Sequence, residues 1–252
     1  MINIFHYDFD YTWLWNYGHL IPVIIFTLAG LLAWKCKWSN WITYISILIV
    51  LWGVIGLVIV QYILCINLPL KLPTEQFLAG GSGYVLDAGA GSGRSTLMVL
   101  LERPGSRVIA MDLYEGYFGI LDNTPERLLA NARLAGVEDR VTVKVGDIRD
   151  IPLEDSSLDA AVSVAVIDHL APEGIKKSMA EIWRVLRSNG EFLLVVINND
   201  LWIRIAYPFL IHHGYYGPKT HAEGWIDYLT EAGFKIVEQG TKPASLYFLA
   251  RK

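Results

Sequence analysis

Tyr84-Val-Leu-Asp-Ala-Gly-Ala-Gly-Ser-Gly93 runs directly into Arg94-Ser-Thr-Leu-Met-Val-Leu-Leu101. An apolar run that ends in an acid and three alternating glycines, followed by a helix-forming segment, predicts a strand, a tight loop and a helix. Glycines 89, 91 and 93 let the chain turn sharply off the strand and bring bare backbone against a ligand at the helix N-terminus. Side chains there would block the approach. The stretch reads as a nucleotide-cofactor loop on a parallel α/β sheet.

The spacing separates the cofactors such a loop can serve. A dinucleotide fingerprint is G-x-G-x-x-G, and counted from Gly89 its third glycine falls on Arg94. A phosphate-cradling P-loop ends in Gly-Lys-Ser/Thr, which does not follow. An acid two residues before G-x-G-x-G resembles motif I of the class I S-adenosylmethionine (SAM)-dependent methyltransferases. That resemblance implies SAM as cofactor, with Asp87 facing its methionine end beside Gly89, Gly91 and Gly93.

The downstream sequence keeps the same order. Arg107-Val-Ile-Ala-Met-Asp112 reads as a second strand ending in an acid about 20 residues past the loop, the separation of a carboxylate that holds ribose hydroxyls. Asp112 is the candidate, with Leu113 beside it in the cofactor site. A helix is expected from about Pro125 to Ala135, and Arg140-Val-Thr-Val-Lys-Val-Gly-Asp147-Ile148 reads as a third strand and its exit. In the resembled family, an Asp at the position of Asp147 bonds the adenine amine and the residue at Ile148 covers the ring. Ser157 to His169 reads as a fourth strand. Glu181-Ile-Trp-Arg-Val-Leu-Arg-Ser-Asn-Gly190 resembles the family signature E-x-x-R-V-L-x-x-G-G, with Asn189 replacing the first glycine. Asp159, at a strand start, is assigned to the opposite edge of the sheet. Phe234-Lys-Ile-Val-Glu-Gln and Ser245-Leu-Tyr-Phe-Leu-Ala resemble the family's terminal antiparallel hairpin. The expected fold is a doubly wound α/β, seven-stranded Rossmann-like methyltransferase sheet. The segment 123–137 narrows the likeness toward quinone and other small-molecule methyltransferases.

Composition points to an appendage. Hydrophobic residues make up 53% of the 252, more than a water-facing α/β domain requires, and the excess lies at the N-terminus. Trp41 to Ile63 runs 23 residues without a charge, long enough to cross a bilayer core of about 30 Å. Trp13 to Trp34 is uncharged with His19 neutral, and Trp and Tyr cluster at its ends as interfacial belts do. A cleaved signal peptide competes with this reading, but no basic leader precedes the run and a second apolar run follows. The expectation is therefore a two-helix transmembrane anchor, residues 1–66, turning at Lys35 to Asn40 and joined to a methyltransferase domain, residues 67–252. Both chain ends then share a side, and because SAM is made in the cytosol the catalytic domain is expected to be cytoplasmic. Lys35 and Lys37 lie on the outer side, against the usual charge bias. Gly53-x-x-Gly56 offers the hairpin a close-packing face for another membrane protein. Cys36 and Cys65 both flank the second span, which excludes a disulfide framework in the domain. The net charge of −4 and the lack of a basic stripe argue against nucleic acid as a partner.

Two segments are candidates for the chemistry. Asp168-His169, just past the fourth strand, occupies the place where resembling enzymes carry an acid-His or His-His pair near the transferred methyl, and a histidine can accept a proton at cellular pH. His169 could equally cap the following segment. The insertion 198–221 is a candidate lid, in which Trp202, Tyr207, His212, His213, Tyr215 and Tyr216 are candidate acceptor-pocket residues. An ordinary buried helix fits its apolar spacing as well. The histidine spacing fits no common zinc motif, so no metal is assigned. The expected function is methyl transfer to a small lipophilic acceptor at the bilayer: a quinone precursor, isoprenoid, lipid headgroup or hydrophobic thiol. A membrane-tethered SAM-binding protein without transferase activity would carry the same motifs. Oligomeric state is not legible.

Overall fold

A computed structural model describes residues 7–115, 123–208 and 222–252. Strand β1 (Tyr84–Ala88) is buried from its second residue onward. Its successive side chains point to opposite faces of a sheet that is covered on both. It pairs in parallel with β2 (Arg107–Asp112) on one side and β4 (Leu158–Val164) on the other. β2 continues to β3 (Val141–Val145), and β4 to β5 (Leu186–Ile197), both in parallel. β7 (Ser245–Arg251) runs antiparallel between β5 and β6 (Lys235–Lys242). The strand order is β3-β2-β1-β4-β5-β7-β6. Order reverses beside β1, and ligands of open α/β sheets bind at such a switch point.

The alternation along the strands sorts the helices. Val85, Val108, Val162 and Leu249 pack with Leu97 and Met98 of α4 (Arg94–Glu102). Leu86, Ile109, Ala161 and Phe248 face the other way, toward Met179 of α6 (Pro172–Val185) and Leu229 of α8 (Ala222–Glu231). The third helix of the sheet, α5 (Pro125–Leu134), begins with a proline after Thr124, whose hydroxyl accepts from the Arg127 N–H. Asn189 adopts φ +63° at an irregularity near the start of β5, a conformation an asparagine tolerates better than other non-glycine residues. The resembled signature tolerates Asn189 for that reason. Asp159 accepts from the Tyr84 N–H, the first residue of β1, and so lies at the edge opposite the loop.

The N-terminal helices depart from the expected pair of spans. α1 (Trp13–Tyr17) and α2 (Leu20–Lys35) are separate helices broken at Gly18-His19. Pro22 accounts for the break. Its ring would meet the carbonyl of Gly18 in a continuous helix, whereas in the first turn of a new one its missing N–H costs nothing. α2 spans only ~24 Å at 1.5 Å per residue, less than a bilayer core. α3 (Asn40–Val58) continues through a wider π turn, Ile59–Ile63. Asn40–Ile63 is the one helix among the described residues long and apolar enough to cross a membrane.

α2 and α3 pack antiparallel through small residues. A methyl added to Gly53 would meet Val23, and one added to Gly56 would meet the His19 ring. The Gly53/Gly56 face is therefore occupied from within the chain, which corrects its expected use for an outside partner. The hairpin docks on the sheet domain through Ile59, Val60 and Ile66 against Ile203, Ala206 and Tyr207 of α7 (Leu201–Ala206) and its exit. The Trp52 indole donates to the Ile205 carbonyl, 3.2 Å. Nor does the first segment belong wholly to the hairpin: Phe9 is buried against Phe77, Val85 and Leu97 in the core of the sheet.

Candidate cofactor and acceptor site

The loop after β1 is first folded by backbone bonds. Gly89 and Ala90 N–H both donate to the Met111 carbonyl at 2.8 and 3.0 Å, so the loop folds back over the end of β2. Gly89 and Gly93 sit at φ +89° and +94°, in the left-handed region glycine favours. Gly89 also backs directly onto Val166, in the exit of β4, which brings the turn carrying His169 beside the loop.

Asp87 does not face a ligand. The period of two points its side chain to the face covered by α4, where it is 0% exposed. It accepts from the Ser95 hydroxyl at 2.8 Å and the Thr96 hydroxyl at 2.6 Å. The expected contact with the methionine end is thus replaced by a clamp that fixes the first turn of α4 under the loop. Burial pushes the Asp87 carboxyl up to about 6; the Thr96 and Ser95 hydroxyls oppose this and the nearby Asp112 charge adds to it. An unfolded carboxyl titrates near 3.8. The folded form therefore holds the proton more tightly, and the stability from this group is complete below that value and lost as pH rises through about 6. The amount is on the order of 3 kcal/mol. Asp87→Asn does not titrate, so urea unfolding should show the variant gaining that much on the wild type between pH 4 and pH 7. A difference that stays constant across this window would show an ordinary, unshifted carboxyl.

Asp112 is the hub of the site. One oxygen accepts from the Gly91 N–H at 2.9 Å, and the other from the Tyr114 N–H at 2.8 Å and the Asn123 amide at 3.1 Å. Leu113 beside it is exposed at the sheet edge. Tyr114 and Asn123 were not singled out from sequence; the only signal was their place around an acid at a strand end. Among the described residues, the Tyr114 hydroxyl and the Asn123 carbonyl oxygen are buried without a hydrogen-bond partner. Buried polar atoms are rarely left so, and these two suit a polar ligand at the tip of β2. Together with the open backbone of the loop they fit the cofactor that the sequence resemblance implies.

Asp147 lies at the exit of β3, on the same edge as Asp112. Both of its oxygens accept from Arg149, whose own N–H donates as well, and the Arg149 hydrogen bonds hold its carboxyl below the usual range. Ile148 is buried with Met111 and Ile151, as part of the core rather than as an exposed cover. Arg149 is a further residue the sequence reading missed.

Asp168 and His169 close the short turn after β4. Asp168 is buried and accepts from the Ile197 N–H at 2.9 Å, pinning the end of β5. That bond anchors the turn that carries His169. His169 is half-buried beside it. Of the expected acceptor residues, Trp202 lies half-exposed on α7, which ends before Pro208. Tyr207 is 3% exposed and its hydroxyl donates to the Trp15 carbonyl at 2.9 Å. It fastens α7 to the hairpin instead of lining a pocket. His212, His213, Tyr215 and Tyr216 lie outside the described residues.

Comparison with known proteins fits this geometry. A family model described as "Methyltransferase domain" matches residues 86–194, from β1 into β5. A protein of Encephalitozoon cuniculi whose name assigns it provisionally to the methyltransferases is 30% identical over 188 residues, covering 67% of this chain and 78% of its own length. A demethylmenaquinone methyltransferase of Clavibacter sepedonicus is 27% identical over 205 residues, covering 72% of this chain and 78% of its own. In fold, the chain is similar to the Burkholderia thailandensis 1,6-didemethyltoxoflavin-N1-methyltransferase, solved with S-adenosylhomocysteine. The TM-score is 0.52 and the identity 24%, over 69% of this chain and 72% of that one.

Proposed function

This chain belongs to the S-adenosylmethionine-dependent methyltransferases, and on that premise we propose that it methylates a small lipophilic acceptor at a bilayer surface in which its helical hairpin is embedded. The observation that carries the reading is the outward face of the hairpin. Ile24, Leu28 and Leu31 of α2 and Leu48, Leu51 and Ile55 of α3 are all exposed. A contiguous apolar surface of this kind is not left in water. Exposed Trp34, Trp38 and Trp41 ring one end and Trp13, Tyr17 and Tyr62 the other, as interfacial belts do. At 1.5 Å per residue Trp41 and Tyr62 lie ~32 Å apart, close to a hydrocarbon core of ~30 Å. In this reading α1 and α2 together make the first crossing, kinked at Gly18-His19, and α3 the second. Both ends of the hairpin return to the sheet domain, which we assign to the cytoplasmic side where the cofactor is made. A reporter fused after Lys252 should then read as cytosolic; a luminal or periplasmic signal would reverse the topology.

SAM supplies an electrophilic methyl on its sulfonium. Transfer is an in-line displacement, so the main work of the protein is to hold the two partners at the right distance and angle. The chain does this with the loop 89–93, Asp112 and Asp147 on the cofactor side. An oxygen, carbon or protonated nitrogen acceptor also needs a proton removed, and in this reading that role falls to His169, half-buried in the turn after β4. His169→Ala should leave SAM affinity intact and lower turnover by about 10²–10⁴-fold. Turnover equal to wild type would remove the histidine from the chemistry.

A hydrophobic acceptor diffusing in the membrane meets the domain from the hairpin side, which supports quinone precursors, isoprenoids, lipid headgroups or hydrophobic thiols as the class. The demethylmenaquinone methyltransferases among its relatives support the first of these. The test is purified protein in detergent incubated with labelled SAM and a membrane lipid extract. Label in an organic-soluble product is expected; label accepted only by soluble polar metabolites would defeat the substrate class.

A further inference from the structure

The loop that holds the cofactor is gripped from two sides by the two chain segments that frame the hairpin. Ser92, buried in the loop, donates to the Phe9 carbonyl at 3.0 Å. Asn131 of α5 seals that contact, donating to the carbonyls of Asp8 and Ser92 and accepting from the Asp8 N–H. Three to four residues further on the chain enters α1. On the other side, Arg94 is the first residue of α4, immediately after Gly93. Its guanidinium donates to the carbonyls of Leu64, Cys65 and Leu68, each at 2.8 Å. These carbonyls lie where the long apolar helix ends, after the π turn.

The chemistry of that second grip is specific. The last carbonyls of a helix lack partners within it and carry the negative end of the helix dipole. The planar fork of a guanidinium serves the Leu64 carbonyl at the helix's C-cap together with those of Cys65 and Leu68 in the turn that follows, a fixed geometry that a lysine ammonium lacks. Cys65 holds φ +46°, an unfavourable conformation for a non-glycine residue. Such a conformation persists where the surroundings impose it, and here the Cys65 carbonyl is held by both Arg94 and the Leu68 N–H. The Arg94 cation also lies 5.9 Å from the centre of the Tyr11 ring, on the entering segment.

We propose that Arg94 is a positioning residue for SAM, and that through it the seating of the hairpin sets the affinity of the glycine loop for the cofactor. Arg94 acts through the loop: it fixes the first turn of α4, and with it the backbone between Gly89 and Gly93, against the end of the hairpin. Whatever loosens residues 59–68 loosens the loop, and by reciprocity a bound cofactor tightens residues 59–68. The inference needs only the cofactor and the fold, and holds whether or not the acceptor is lipophilic.

The experiment uses the full chain in detergent, with no acceptor present. Hydrogen–deuterium exchange with and without SAM is expected to show slower exchange in 59–68 as well as in 89–97. By calorimetry, Arg94→Met should bind SAM about tenfold more weakly, within the range of such couplings. It should also lose the protection of 59–68 while keeping that of 89–97 at saturating SAM. Arg94→Lys should recover part of the affinity, since it keeps the charge but reaches fewer carbonyls. Protection confined to 89–97 in the wild type would overturn the proposal, and so would an Arg94→Met protein with wild-type affinity. If Arg94→Met does not fold, the wild-type exchange pattern decides alone. An acceptor assay that fails leaves this result untouched, because no acceptor enters it.

Discussion

Gly89→Ala should reduce SAM binding by more than a hundredfold. The backbone there has φ +89°, which costs an L-residue roughly 1–2 kcal/mol. The larger part is steric. A Cβ at this position would lie 2.4 and 2.5 Å from the two methyls of Val166. Val166 is β-branched, has one strongly preferred side-chain angle, and packs against the core beneath α6, so it cannot swing aside. Overpacking of this kind adds about 1–3 kcal/mol. Either the loop lifts off β2, breaking the bonds of Gly89 and Ala90 to Met111, or the turn before His169 moves. Both change the cofactor edge. Calorimetric titration with SAM, beside a circular dichroism spectrum to verify the fold, makes the measurement. Gly80→Ala is the control, because a methyl there meets nothing within 4 Å. Wild-type affinity in Gly89→Ala would mean that the close approach to Val166 is not needed for binding.

Asp112→Ala should weaken SAM binding at least as severely, for an electrostatic reason. Among the described residues, the three groups that bond its carboxylate are donors: the Gly91 N–H, the Tyr114 N–H and the Asn123 amide. Hydrogen bonds to a charged group contribute about 1.5–3 kcal/mol each to stability, so losing them loosens the Gly91 loop and the backbone at Tyr114 that shape the cofactor edge, and SAM binding should weaken with the edge. Asp112→Asn is the sharper probe. Its amide NH2 must face a donor whichever way it turns, so a substitution that changes shape very little should still cost most of the affinity. An Asp112→Asn protein that binds SAM normally would show that the acid is a turn former and not the hub of the site. The same variants carry an internal check. Removing the Asp112 charge lowers the upward push on Asp87, so the pH window over which Asp87 destabilises the fold should move down.

Much of this could be read from the chain. The alternation of Val85, Leu86 and their counterparts in β2 and β4 is local and periodic, and fixes strands buried on both faces. Asn189 in the place of a glycine is interpretable because few other residues tolerate φ +63°. Asp112 and Asp147 were legible as acids at strand exits, because the strand ends themselves were legible. Asp87 looked the same from sequence and is not. Its strand position gives the edge, but its face depends on which helix covers that side, and Ser95 and Thr96 are within reach only once α4 is folded back over β1. The anchoring bond of Asp168 was hidden for a similar reason: the Ile197 N–H from which it accepts lies on β5, a long way along the chain.

The apolar segments repeat the lesson. Length and hydropathy marked Trp41 to Ile63 as one long apolar segment, and the structure has a continuous helix there, Asn40–Ile63. They did not show the break at Gly18-His19, although Pro22 was a visible signal for it. Nor could they show that Gly53 and Gly56 receive His19 and Val23 from the same chain.

The sequence by itself determined the sheet, the glycine loop, the acids at its edge and the presence of an apolar appendage, since each depends on residues close together or on a short period. Tertiary structure alone decided that Ser92 meets Phe9 and that Arg94 meets Leu64, Cys65 and Leu68. A serine hydroxyl or a guanidinium will bond to any free carbonyl, so its residue type carries no information about which one. Only the packing of the hairpin against α7, and of the first segment under the sheet, brings those particular carbonyls within 3 Å of the loop.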